Sequence, residues 1–264
     1  MSDMFELKRK LGVFRESLAD RSVFCFTSDI DWAGEYAIEK TVEMFGGFGI
    51  RPTMFLTHDS PAANAFIRSG AVDAGIHPNF LPGSSQGGSF GEVIDFCMKL
   101  LPGARCYRSH RYFEVNDIME SLAKRGIAYT SNVCTMLEDA RPFVNRSAMV
   151  SFPIFMEDGA YLLNGCPLDF GAAKKYFEGP GLKVINLHPM HLMLNTPHFK
   201  YTRDIKDRLS RREWLNLDDA AIAKLGNAGR GIADFAKALC EYAAGNCETK
   251  SLGELYDEIL SVRP

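Results

Sequence analysis

The stretch Phe24-Cys25-Phe26-Thr27-Ser28-Asp29-Ile30-Asp31-Trp32 places two carboxylates, Asp29 and Asp31, where an apolar, β-rich run stops. Residues two apart on an extended chain point to the same side, so a strand persisting through Ile30 turns both carboxylates toward one point. Two acids that close repel each other. Folding tolerates the pair only with a metal ion, an arginine or a shared proton as compensation. Groups able to supply it recur behind later apolar runs: His58, His77, Arg108 with His110, Glu157 with Asp158, and His188. Carboxylates and imidazoles together are the donor set of a divalent-metal site and the working groups of general acid–base catalysis.

These residues need a scaffold that gathers strand ends. Runs rich in Val, Ile, Phe and Cys predict strands over Val23–Thr27, Pro52–His58, Val72–Phe80, Ala104–His110, Ile127–Cys134, Val150–Met156 and Leu182–Leu187. Between them, helical spacing joins Ile38, Val42 and Phe45, then Val93, Phe96, Cys97, Leu100 and Leu101, then Val115, Ile118, Met119, Leu122 and Ala123. Strand–helix alternation with short links argues for a parallel sheet covered by helices, and about seven such strands approach a closed barrel. In α/β barrels the C-terminal rim of the strands is where chemistry is assembled. The polar residues named above all fall at that end.

Past Pro197 the character changes. The mostly basic run Lys200 to Arg212 is expected as a solvated helix face, with contact to an anionic sugar carrier as the alternative. Ile232 to Ala243 and Leu252 to Ile259 keep amphipathic spacing. These helices read as an appendage over 198–264, packed on a barrel core over 22–197 within a single domain of residues 1–264. His191 and His198 are expected as loop or surface residues. The Gly/Ser-rich loop 83–89 lacks the lysine of a phosphate cradle and reads as a flexible rim loop.

The 264-residue chain carries 30 Lys plus Arg against 33 Asp plus Glu, a balance without the basic footprint of a nucleic-acid binder. No apolar run reaches membrane-spanning length, and the opening residues lack an apolar signal core, so a cytoplasmic protein is expected. Seven cysteines, an odd number with no C-x-x-C pair, point to reduced thiols.

Five segments resemble, in order, the motifs of the polysaccharide deacetylases of the NodB-homology type, carbohydrate esterase family 4. They are Thr27-Ser28-Asp29-Ile30-Asp31, Gly75-Ile76-His77-Pro78-Asn79, Tyr107-Arg108-Ser109-His110, Phe152-Pro153-Ile154-Phe155-Met156-Glu157-Asp158 and Ile185-Asn186-Leu187-His188-Pro189. The resemblance implies a distorted (β/α)7 barrel and removal of an N- or O-acetyl group from a saccharide. It implies Asp29 as catalytic base oriented by Arg108, His188 as the acid with Asp158 or Glu157 as its partner, and a divalent metal on Asp31 and His77. Zinc is the expected ion, with cobalt, nickel or manganese also suited to such ligands. The family's second motif has a second histidine where this chain has Leu81. The third ligand is then expected from His110, or else Asn79. The wording of the histidine and arginine segments is similar to a divergent branch of bacterial surface-polysaccharide proteins, the WbmS type. Two further readings stay open: a saccharide-binding protein without turnover, because of Leu81, and a metal hydrolase acting on a C–N bond of a small amide.

Overall fold

Short runs of β-branched and aromatic residues favour strands buried on both faces. The structure, a computed structural model that describes residues 2–263, keeps every residue from Val23 to Asp29 out of solvent. Among the described residues the strands are β1 Ser22–Asp29, β2 Thr53–Leu56, β3 Asp73–Ile76, β4 Cys106–Tyr107, β5 Tyr129–Thr130, β6 Phe143–Val144, β7 Val150–Ser151, β8 Ile154–Glu157, β9 Gly181–Asn186 and β10 Glu248–Thr249. β2 to β5 follow in parallel on one side of β1, and β9 then β8 on the other.

The run Val150–Met156, expected as one strand, is divided at Pro153, which has no N–H to give to a ladder. Its first part pairs with β5 and its second with β9. A single parallel bridge between Cys134 and Ile154 closes the ring, helped by the Ile154 N–H donating to the Val133 carbonyl at 2.7 Å. The result is a distorted (β/α)7 barrel whose seam is that one bridge. β6 adds an antiparallel flap on β7, and β10 covers the part of β1 that β2 leaves unpaired.

Alternation along β1 sorts its side chains. Phe24 and Phe26 face outward into a cluster with Phe45, Ile232, Phe235 and Leu239, the last three from the helix Ile232–Asn246. Val23 and Cys25 face inward, with Phe55, Cys106, Tyr129, Val150 and Val184 from the strands around them. Leu11 and Phe14 of the first helix, and Leu252, Leu255 and Ile259 of the last, belong to the same inner cluster. The Leu252 N–H donates to Thr53 Oγ1 and the Gly253 N–H to Asp73 Oδ2, both first residues of their strands. These two helices therefore plug the N-terminal end of the barrel and leave the C-terminal end for the site. No helix among the described residues is long and apolar enough to cross a membrane, and all seven cysteines are free thiols.

Candidate active site

The inward parity of β1 runs Val23, Cys25, Thr27, Asp29, so Asp29 ends the strand at the top of the barrel interior. The chain does not stay extended beyond it. Asp31 and Trp32 take left-handed φ angles of 40° and 57°, conformations that cost non-glycine residues about 1–3 kcal/mol each. The Trp32 N–H donates to Thr57 Oγ1 and the Ala33 N–H to the Ile30 carbonyl, which hold this turn. The two carboxylates are thus brought together by a turn, not by strand alternation as the sequence suggested.

Asp29 is buried behind the turn. Its Oδ1 accepts from Arg108 Nη1 at 2.9 Å and its Oδ2 from Asn186 Nδ2 at 2.9 Å. Arg108 is wholly out of solvent and spends its guanidinium on Ser131, Thr27 and Asn186 as well, with its Cζ 4.4 Å from the Phe55 ring centre. Burial pushes the Asp29 carboxyl up, but the charges of Arg108, His77 and His188 outweigh it and hold the group below its ordinary range.

Asp31 has a different neighbourhood. Its Oδ1 lies 3.0 Å from His110 Nδ1 and 3.1 Å from His77 Nε2. Burial opposes its charge, and His110 and His77 overcome this to hold it well below the usual carboxylate range. His77 is buried, and neither of its ring nitrogens has a hydrogen-bond partner; the approach to Asp31 is close but not aligned as a hydrogen bond. One ligand atom from each of Asp31, His77 and His110 falls within 4.8 Å of the others. Asn79, the other residue considered for this set, uses its side-chain carbonyl to accept from the Leu81 N–H. The rim loop is pinned, since Gln86 Nε2 donates to the carbonyls of Thr57 and His77.

Across the mouth, Asp158 clamps His188 twice: Oδ1 to Nδ1 at 2.6 Å, and Oδ2 to the backbone N–H at 2.7 Å. His188 Nε2 then faces the acids, 3.8 Å from Asp29 Oδ2 and 3.7 Å from Asp31 Oδ2. Burial alone would lower the His188 pKa, yet Asp158 raises it well above 6.5, and Asp158 itself is held far below its usual value. Glu157 caps the helix Asp158–Leu163, accepting from the N–H groups of Gly159 and Ala160. A cavity of about 510 Å³ opens above Asp29, Asp31, His77, His110 and His188. Arg108 and Asp158 stand behind it. His58 lies aside, paired with Thr57 Oγ1.

A family model of WbmS-like polysaccharide deacetylases matches residues 26–206. The chain belongs to that family. A solved structure of a candidate polysaccharide deacetylase involved in O-antigen biosynthesis, from Bordetella bronchiseptica, is 26% identical with a TM-score of 0.73, over 85% of this chain and 91% of that one. A candidate polysaccharide deacetylase from Mycobacterium smegmatis shares the fold at 14% identity and a TM-score of 0.54, over 93% and 95% of the two chains. No curated protein matches the chain.

Two further sequence expectations for this WbmS-like chain need correction. His191 is not a free loop residue: the short helix Pro189–Met193 brings its Nδ1 to 3.2 Å from Asp158 Oδ1, beside the His188 ring. The run Lys200–Arg212 is not one solvated helix. It forms Lys200–Lys206 and the start of Arg211–Leu215, and Phe199, Thr202, Arg203, Lys206 and Trp214 line the cavity. Asn186, Thr27 and Ser131, which complete the shell around Asp29 and Arg108, were not singled out from the sequence. The signal available for Asn186 and Thr27 was strand parity, as both sit in quoted motifs at the ends of strands.

Proposed function

We propose that this chain is a metal-dependent deacetylase that removes an N- or O-acetyl group from a sugar of bacterial surface polysaccharide. The carrying observation is His77. A buried imidazole with both nitrogens unpartnered costs free energy unless something else binds it, and its neighbours Asp31 and His110 complete a three-residue donor set beside a cavity. His110 offers the third donor that Leu81 does not, which favours turnover over the reading as a binding protein. Asp31, His77 and His110 would hold a divalent ion, which would supply Lewis acidity toward the acetyl carbonyl and lower the pKa of water.

The chain's own residues supply the proton transfers. Asp29, kept ionised by Arg108 and fixed by Asn186, takes the proton of the attacking water as its oxygen bonds to the carbonyl carbon. His188, whose protonated form Asp158 favours, gives a proton to the leaving nitrogen or oxygen as its bond to that carbon breaks. Acetate and a free amine or hydroxyl result. The likeness to the Bordetella protein supports a surface-polysaccharide sugar over a small amide.

The test is acetate release from a panel of acetylated sugars and small amides, with metal content measured on the same protein. About one zinc, cobalt, nickel or manganese per chain and release from sugars are expected; release only from amides, or none, overturns the reading. His77→Ala should weaken metal binding by at least the roughly 10–100-fold that loss of even an outer partner of a ligand costs, read by competition with a chelating dye.

The His188–Asp158 pair gives a pH prediction. His188 acts while protonated, so activity should fall as pH rises through its raised pKa. Asp158→Asn removes the largest influence raising that value and should move the alkaline limb of the kcat profile to lower pH. An unmoved limb would assign it to another group.

A further inference from the structure

The cavity is polarised. Its carboxylates, Asp29, Asp31 and Glu157, are buried or half-buried, whereas its arginine and lysine lining residues are Arg111, Arg203 and Lys206. All three are exposed, and among the described residues none has an acidic partner, although surface arginines elsewhere, such as Arg21, Arg105 and Arg125, are paired. Arg203 and Lys206 share one helical face with Phe199, at i, i+4 and i+7, while Asp204 and Asp207 of the same segment stay out of the lining. Lys206 is set against Trp214, 5.3 Å from its ring centre. Arg111 follows β4, and the other two follow β9. Around the seven-strand ring these strands are three steps apart one way and four the other, so the cations come from opposite walls.

Resting on the deacetylase reading, we propose that Arg111, Arg203 and Lys206 bind the diphosphate of an acetylated sugar that is still joined to its carrier. A single carboxylate presents two oxygens to one side, whereas a diphosphate carries several negative oxygens that guanidinium and ammonium groups grip from two sides. The substrate is then an activated monosaccharide, taken before polymerisation, with its acetyl group at the floor and its diphosphate at the mouth. Phe199 and Leu163, 37% and 63% exposed, offer apolar surface beside the cations. A nucleotide base or a polyprenyl chain would each cover it, and the two carriers share the diphosphate.

Calorimetric titration of the metal-loaded protein with UDP, geranyl diphosphate and N-acetylglucosamine tests this. Both diphosphates should bind about tenfold or more tightly than the free sugar, with affinity falling as salt is added, and the tighter of the two names the carrier. R203Q/K206Q, and separately R111Q from the other wall, should each weaken diphosphate binding several-fold, with metal content and melting temperature followed to confirm the folded holoprotein. If either variant fails to fold, the other supplies the test. Diphosphates that bind no better than the sugar overturn the proposal, and so does undiminished binding to the folded variants, which would place the contact on the metal. Acetate release is assayed apart from this. Its absence with every acetylated sugar sinks the deacetylase reading, while the affinities still decide the cation cluster.

Discussion

Asp29→Asn is expected to slow acetate release by about 10²–10⁴-fold, the span a positioned acid or base contributes, while the protein retains its metal. The carboxylate accepts from Arg108 on one oxygen and Asn186 on the other. The amide keeps the shape but cannot take a proton from water, and one of its two positions now opposes a donor. Metal should stay because the proposed ligand set, Asp31, His77 and His110, does not include Asp29. The pH profile separates a base from a merely structural acid. Asp29 is held below the usual carboxylate range, so wild-type activity that depends on its ionised form should persist into mildly acidic conditions and fail only as pH drops through that depressed value. Residual activity in Asp29→Asn should lack this acid limb. A variant with wild-type kcat and bound metal would remove Asp29 from the role.

The rim of the barrel was legible because polar residues end apolar runs so sharply: His77 and Arg108 follow directly on buried strand residues, and His188 follows buried Leu187 just past β9. What escaped has identifiable causes. Asp31, expected as a ligand, joins His77 and His110 through a left-handed turn with no glycine at either strained position, so nothing in the local sequence announced the turn. The helices Asp158–Leu163 and Pro189–Met193 are too short to show a hydrophobic period, which hid the place of His191; the pairing of Asp158 with His188 was expected, but not its second bond to the His188 backbone N–H. Asn186, Thr27 and Ser131 are neutral and look like any strand end, and only the buried guanidinium they surround gives them meaning. The cationic face of Lys200–Lys206 shows the same limit. Its spacing is plain, but whether such a face meets solvent or a cavity is decided by the barrel opposite it.

Arg108→Met should cost about 3–5 kcal/mol of stability, the range for breaking a buried ion pair by deleting one partner, or roughly 6–20 °C in Tm for a chain of this size. The substitution keeps an unbranched side chain but removes the guanidinium and strands Asp29, whose remaining favourable partners are Asn186 and the two nearby histidines. The origin of the loss can be read from pH. In the wild type Asp29 is depressed, so its contribution is present above the unfolded value near 3.8 and is lost as pH falls through the lower folded value. Without Arg108 the burial cost weighs more and the folded value rises. The variant then sheds its penalty on acidification, because protonated Asp29 no longer carries an uncompensated charge. The Tm gap between wild type and Arg108→Met should therefore narrow from pH 7 toward pH 4. Adding Asp29→Asn to Arg108→Met should recover part of the loss, since removing both members of a buried pair costs less than removing one. A gap that ignores pH, or a double variant as unstable as the two single losses summed, would trace the effect to lost packing and hydrogen bonds around Arg108 instead of to the pair.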